Sequence, residues 1–194
     1  MTIAYYEAHA SEFYAQTVAV DMTALYAPFF SLLPAGAHIL DAGCGSGRDT
    51  LYFNQHGCNV TAFDASARLA DLASRLTGQP VLTMSFEELG FREEFDGVWA
   101  CASLLHVPRR EIDSVFSKLA DAVKLGGVIF ASFKLRDEEW EQEGRFFNGY
   151  DVSSFRALLR RHPRLSALSV WTSSDARPER RHEQWLNVLL RRET

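Results

Sequence analysis

Cysteine is scarce in this chain: Cys44, Cys58 and Cys101 among 194 residues. An odd number with no CxxC spacing argues against a disulfide framework and for reduced thiols. The six histidines form no zinc-type spacing with cysteines or carboxylates, so no metal is expected. Long hydrophobic runs are missing, and the longest fall far short of a membrane span. No apolar run follows a basic segment at the start, so a cytoplasmic chain without a secretory leader is expected. Positive charge is in deficit, with 20 Lys and Arg against 25 Asp and Glu and a formal net charge of -5. Extended contact with nucleic-acid phosphates needs a basic surface, so nucleic acid is not an expected partner. The Arg-rich segment 177–192 is the exception, read either as a local functional patch or as the solvated face of a strand pair. Repeats and low-complexity stretches are absent.

What is present is strand-helix alternation, in a length that suits a single domain, residues 1–194. Apolar runs at 37–42, 59–63, 81–84, 95–101 and 127–133 predict five strands. Helices are expected over 48–56, over 67–76 behind Ser66 as N-cap, and over 109–124, ended by Gly126-Gly127. Residues 165–172 and 185–190 read as two further strands, joined by a loop too short for a parallel crossover. The expected fold class is therefore α/β: a doubly wound sheet of about seven strands, mostly parallel, with an antiparallel C-terminal pair and helices on both faces. Residues 1–33 read as an aromatic, helical cap. Residues 134–150, charged with embedded aromatics, read as a substrate lid. For each, a packing appendage is the alternative.

The chemistry concentrates after the first strand. The turn DAGCGSG runs from Asp41 to Gly47. Its glycines let the backbone turn sharply and approach a ligand, and the following helix start offers unpaired N–H groups. The spacing is GxGxG, with Arg48 where a dinucleotide fingerprint would have its third glycine. Asp64 closes the second strand, near the spacing at which a carboxylate reaches a ribose. Glycine turn and diol-binding acid together imply a nucleoside ligand; neither alone says which.

Four segments occur in order: ILDAGCGSGR from Ile39, VTAFD from Val60, FDGVWACASLLHV from Phe95 and LGGVIF from Leu125. Over residues 35–133 this order resembles the class I S-adenosylmethionine (SAM)-dependent methyltransferases. More weakly, YYEAHASEFY from Tyr5 and the small size resemble the compact bacterial small-molecule enzymes, including tellurite-resistance-type ones. The resemblance implies a Rossmann-like fold, SAM as cofactor and S-adenosylhomocysteine (SAH) as product. It sets Asp41, Gly43, Cys44 and Gly45 against the methionine part, Asp64 on the ribose and Ala65 beside the adenine. Ser85 and Phe86 would meet the adenine, although the family often has an acid there. Cys101 would offer a carbonyl to the methionine amine, Leu105 and His106 would sit near the cofactor, and Tyr14 would help cover it. Cys44 and Cys101 also read simply as small packing residues.

Methyl transfer from a sulfonium is an in-line displacement that demands orientation and exclusion of water. A hydroxyl acceptor would benefit from a base, and His106 is the candidate, with a structural histidine as the alternative. The expected acceptor is a small molecule offering O, N or S. Candidate acceptor-binding residues are Tyr5, Tyr6, Arg136, Arg145, Phe146, Phe147 and Tyr150. Arginine with aromatics suits an anionic or planar molecule, unless the phenylalanines anchor a loop and the arginines are solvated. A non-catalytic SAM-binding module is the alternative function, and a nucleic-acid methyltransferase a more distant one. The oligomeric state is not legible.

Overall fold

Every apolar run between residues 37 and 133 becomes a strand in the computed structural model, which describes residues 2–194. Helices α1 (Thr2–Thr17) and α2 (Thr23–Phe30) come first. Then β1 (His38–Ala42), α3 (Arg48–Gln55), β2 (Asn59–Asp64), α4 (Ala67–Thr77), β3 (Leu82–Thr83), β4 (Phe95–Ala100), α5 (Arg109–Ala122) and β5 (Val123–Lys134) follow. A hairpin of β6 (Glu139–Gln142) and β7 (Arg145–Asn148) and helix α6 (Val152–Leu159) precede β8 (Leu165–Ser174) and β9 (Gln184–Arg192).

Seven strands form one sheet in the order β3-β2-β1-β4-β5-β9-β8. The first five pair in parallel, and β9 runs antiparallel to both β5 and β8. This is the Rossmann-like arrangement with an antiparallel C-terminal pair. The strand order reverses between β1 and β4, which opens a crevice beyond their carboxyl ends. Side chains alternate across the sheet. Leu40, Val98 and Ala100 face a core under α5 and α6, while Ile39, Trp99 and Phe130 face an aromatic core built with Tyr26, Phe29 and Phe53. Among the described residues, no helix is long and apolar enough to cross a membrane.

Local chemistry sets the ends. Ser66 caps α4 by accepting from the Leu69 N–H at 3.3 Å. The expected end of α5 at Gly126-Gly127 needs correction. The helix stops at Ala122, and Val123 already pairs with Phe95. The next pair is Gly97 with Val128, so the two glycines lie in a bulge of β5. A Cβ on Gly127 would stand 2.8 Å from the Asp96 carbonyl oxygen, which explains glycine there. Segment 134–150 contains a regular hairpin, its turn made by Glu143 and Gly144 at φ 51° and 74°, the primed-turn geometry. Helix α6 was not expected. Asp151 caps it, accepting from the Ser154 N–H at 2.7 Å.

Candidate active site

The glycine turn sits at the β1/β4 crevice and is tied to the end of β2. The Gly43 and Cys44 N–H groups both donate to the Phe63 carbonyl at 2.9 Å. The Asp64 carboxylate accepts from the Gly45 and Ser66 N–H groups, each at 2.9 Å. Burial pushes the Asp64 carboxyl above its ordinary range despite these bonds. Glycine is required twice over at Gly43 and Gly47. Both have positive φ, 77° and 79°, and a Cβ would lie 2.6 Å from Ser103 Cβ or 2.8 Å from Ala73 Cβ.

Two adjoining cavities flank this turn. The smaller, about 200 Å³, lies between Asp64, Ala65, Met84, Ser85 and Phe86 on one side and Tyr6 and Phe13 of α1 on the other. Its walls are mostly apolar, with Asp64 as a half-buried carboxylate. Phe86 packs edge-on against Phe63 at 5.3 Å. The Ser85 hydroxyl and N–H are both taken by Glu88, at 2.9 and 2.8 Å. The larger cavity, about 530 Å³, shares Tyr6, Phe13, Gly43, Gly45, Ala102 and His106 with the smaller. It continues past Cys44, Cys101 and Leu105 to Lys134, Arg145, Phe147 and the β8–β9 connection.

Tyr6 and His106 stand where the two cavities meet. His106 Nδ1 lies 2.7 Å from the Phe146 carbonyl oxygen, which can only accept, so Nδ1 carries the proton. Nε2 then accepts from the Tyr6 hydroxyl at 2.8 Å. Burial pushes the imidazole pKa down to about 4. His106 is thus neutral, with both nitrogens engaged, which makes it a poor base at neutral pH. Burial raises the Tyr6 hydroxyl, against the opposing charge of Arg145.

Arg48 reaches the larger cavity because a buried network holds it. Its guanidinium meets Asp49 in two bonds, at 2.6 and 3.0 Å. Asp49 also accepts from the Tyr26 hydroxyl at 2.6 Å and from the Trp99 indole at 2.8 Å. Burial pushes Asp49 up, but Arg48, Tyr26 and Trp99 outweigh it and hold the carboxylate below its ordinary value. Burial, followed by Asp49, pushes Cys101 up to about 12, and burial raises Cys44 well above an ordinary thiol. Both remain neutral thiols, as packing residues would.

Of the residues singled out by sequence, Gly43, Cys44, Gly45, Asp64, Ala65, Ser85, Phe86, Cys101, Leu105, His106, Tyr6, Arg145 and Phe147 line a cavity. Six others do not. Tyr14 is in neither lining, whereas Phe13, one residue away and so about 100° round the helix, is in both; a Cβ on Gly45 would touch the Phe13 ring at 3.1 Å. Asp41 lies beneath the turn, accepting from the Thr50 hydroxyl at 2.5 Å, with its pKa raised to about 8 by burial and then by Asp49. Tyr5 stacks on His9 at 4.3 Å. Arg136 pairs with Glu138 on the exterior. Phe146 contributes only its carbonyl, because Phe147 takes the inward side of β7. Tyr150 is buried beneath the Arg109 guanidinium. Sequence reasoning missed Phe13, Met84, Arg48, Lys134, Trp185 and Asn187, all in the linings. The Arg-rich run from 177 was the signal for the last wall.

Comparison with known proteins gives a consistent picture. Residues 40–131 match the family model described as methyltransferase domain. A ubiquinone biosynthesis O-methyltransferase of Dechloromonas aromatica is 39% identical over 105 residues, 50% of this chain and 44% of that protein. A 2-methyl-6-phytyl-1,4-hydroquinone methyltransferase of Synechocystis is 34% identical over 115 residues, 55% of this chain and 35% of that protein. The chain thus spans less than half the length of these curated relatives. Among solved structures, the 1,6-didemethyltoxoflavin-N1-methyltransferase of Burkholderia thailandensis, with 1,6-didemethyltoxoflavin and SAH bound, superposes with a TM-score of 0.77. It is 21% identical, over 100% of this chain and 91% of that one, a likeness of fold.

Proposed function

We propose that this chain, whose residues 40–131 match the methyltransferase-domain family model, transfers a methyl group from SAM to a small-molecule acceptor. The observation that carries the reading is the half-buried Asp64 carboxylate at a mostly apolar cavity beside a glycine turn that a Cβ would obstruct. These residues fit the cofactor. Asp64 would hold the ribose hydroxyls through its remaining lone pairs, Phe86 and Met84 would flank the adenine, and the turn from Gly43 to Ser46 would receive the methionine part. When bound, the cofactor supplies a methyl group already activated by the sulfonium charge.

The chain's own residues orient and exclude water. Tyr6 and Phe13 cover the glycine turn, and His106 positions Tyr6 through the Nε2 bond. Acceptor selection falls to the larger cavity. Helix α1 and the β6–β7 hairpin act as the covers: Phe146 N–H donates to Thr2 Oγ1 at 2.9 Å, which joins the two, and Glu7 accepts from Ser66 Oγ at 2.8 Å beside the ribose site. The three unpaired cysteines suit a reducing compartment such as the cytoplasm.

Calorimetry with SAH tests this directly. Saturable one-site binding is expected for the wild type, and its loss for Asp64→Ala in a protein whose circular dichroism is unchanged. Loss of one charge-assisted pair costs roughly 1.5–3 kcal/mol, about tenfold or more in affinity. Radiolabelled SAM, with transfer to an added acceptor, tests turnover. Absence of binding at millimolar SAH would remove the reading.

A further inference from the structure

The larger cavity differs in charge from the molecule that contains it. The chain carries a formal -5, yet six Lys and Arg side chains against three carboxylates line this cavity. Arg48 is committed to Asp49 on the glycine-turn side. The remaining surplus gathers at the ends of β5, β8 and β9. There Lys134, Arg177 and Arg180 share two carboxylates, Asp175 and Glu183. Asp175 is nearly consumed: Arg177 takes both oxygens, at 2.8 and 2.7 Å, and the Trp185 indole donates at 3.1 Å. Three cations on two carboxylates leave one positive charge uncompensated in a partly buried setting, which is costly unless an anion arrives. Lys134 registers this strain. Burial, then the charges of Arg180 and Arg177, push its ammonium down to about 8.

Two buried polar atoms in the same lining lack partners. Asn187 is fully buried; its Nδ2 donates to Ser173 Oγ at 2.9 Å, but its Oδ1 accepts nothing. The Arg145 Nε donates to nothing. Both side chains belong to the cavity wall. Buried groups of this kind are normally satisfied, and an unmet one is destabilising. A ligand that filled the cavity would need an acceptor for Arg145 and a donor for Asn187.

We propose that the methyl acceptor is a small organic oxyanion, a carboxylate or phosphate, that also carries an O–H or N–H donor. Its anionic group sits among Lys134, Arg145 and Arg180, and its donor meets Asn187 Oδ1. Trp185, with Lys134 Nζ 4.0 Å from its ring centre, and Phe147 add aromatic surface to the same lining. This inference rests on the methyltransferase reading of the site and narrows it to a substrate class.

The test uses the full chain saturated with SAH, so SAH binding is measured first and separately. Four probes are then titrated by calorimetry: 3-hydroxybenzoate, its neutral amide, 3-hydroxyphenyl phosphate, and benzoate without the hydroxyl. The hydroxybenzoate is expected to bind at least tenfold more tightly than the amide. A stronger hydroxyphenyl phosphate would assign a phosphate ester, and a weaker one a carboxylate. Arg180→Gln should cut benzoate affinity about tenfold, and Asn187→Leu should weaken the hydroxybenzoate without affecting benzoate that lacks the hydroxyl. Retained SAH binding reports that each variant is folded. Equal affinity for benzoate and amide, no binding of any anionic probe at about 10 mM, or an Arg180→Gln variant that binds like wild type would overturn the proposal. Failure to bind SAH would instead remove the methyltransferase reading itself.

Discussion

At the scale of single residues, the glycine turn and His106 give contrasting lessons. Gly47 and Gly57 share nearly the same φ, 79° and 80°. A Cβ on Gly47 would meet the Ala73 Cα at 2.9 Å, whereas one on Gly57 meets nothing within 4 Å. Gly57→Ala should therefore cost only the left-handed penalty, about 1–2 kcal/mol. Gly47→Ala adds an overpacked contact, for a total of about 2–5 kcal/mol. Denaturant unfolding of the two variants checks the ordering. His106 sets a pH dependence. Its pKa is about 4 in the fold against an ordinary 6.5. Between those values the unfolded chain binds more protons, so the stability due to His106 is present above about pH 6.5 and is lost as pH falls toward 4. Relative to His106→Gln, the wild type should lose about 3 kcal/mol between pH 7 and pH 4. A constant difference between the two proteins would contradict the buried neutral imidazole.

At the scale of elements, helix α1 is the cover in the proposed site whose removal should matter most. It reaches the site through Tyr6 and Phe13, and it breaks at His9, where φ is -113° and ψ 18°. Phe13→Ala uncovers Gly45 and removes a half-buried ring, about 1–2 kcal/mol. SAH should then dissociate about tenfold faster in stopped-flow measurements. An unchanged rate would mean that α1 does not close over the cofactor. This helix also shows what a sequence conceals. The aromatic pattern in residues 5–14 was visible, but choosing Tyr14 rather than Phe13 requires the helix phase relative to Gly45, which tertiary packing decides. The strands were legible because each is a short apolar run bounded by glycine or a polar turn. Helix α6 was not, since eight residues with Phe155 and Leu158 inward give too short a pattern. The β6–β7 hairpin was hidden by its charges.

At the scale of the whole molecule, the two halves of the site differ in origin. The proposed cofactor side is local: Gly43, Gly45, Asp64 and Phe86 follow successive strands, so their order in sequence is their order in space. The acceptor side is assembled by the antiparallel addition of β9 and β8 to β5, which sets Lys134 opposite Trp185 and Ser132 opposite Asn187. Residues some fifty positions apart become neighbours there, and no local motif announces it. The result is a positive cavity in a negative protein, a distribution that concentrates small anions where they would react. Lys134 is faced by Asp175 and Glu183 and by Arg145, Arg177 and Arg180. It loses its proton as pH rises through about 8. Affinity for 3-hydroxybenzoate should accordingly fall several-fold, about tenfold at most, between pH 7 and pH 9, while that for its amide stays constant. Parallel profiles for the two probes would place the charge elsewhere.

The most direct measurement is a crystal structure of the chain with SAH. The ribose is expected on Asp64, the adenine between Phe86 and Met84, and the sulfur directed past Tyr6 and His106 into the larger cavity. SAH bound elsewhere, or in an orientation that turns its sulfur away from the cavity of Lys134 and Asn187, would contradict the assignment of the two cavities to donor and acceptor.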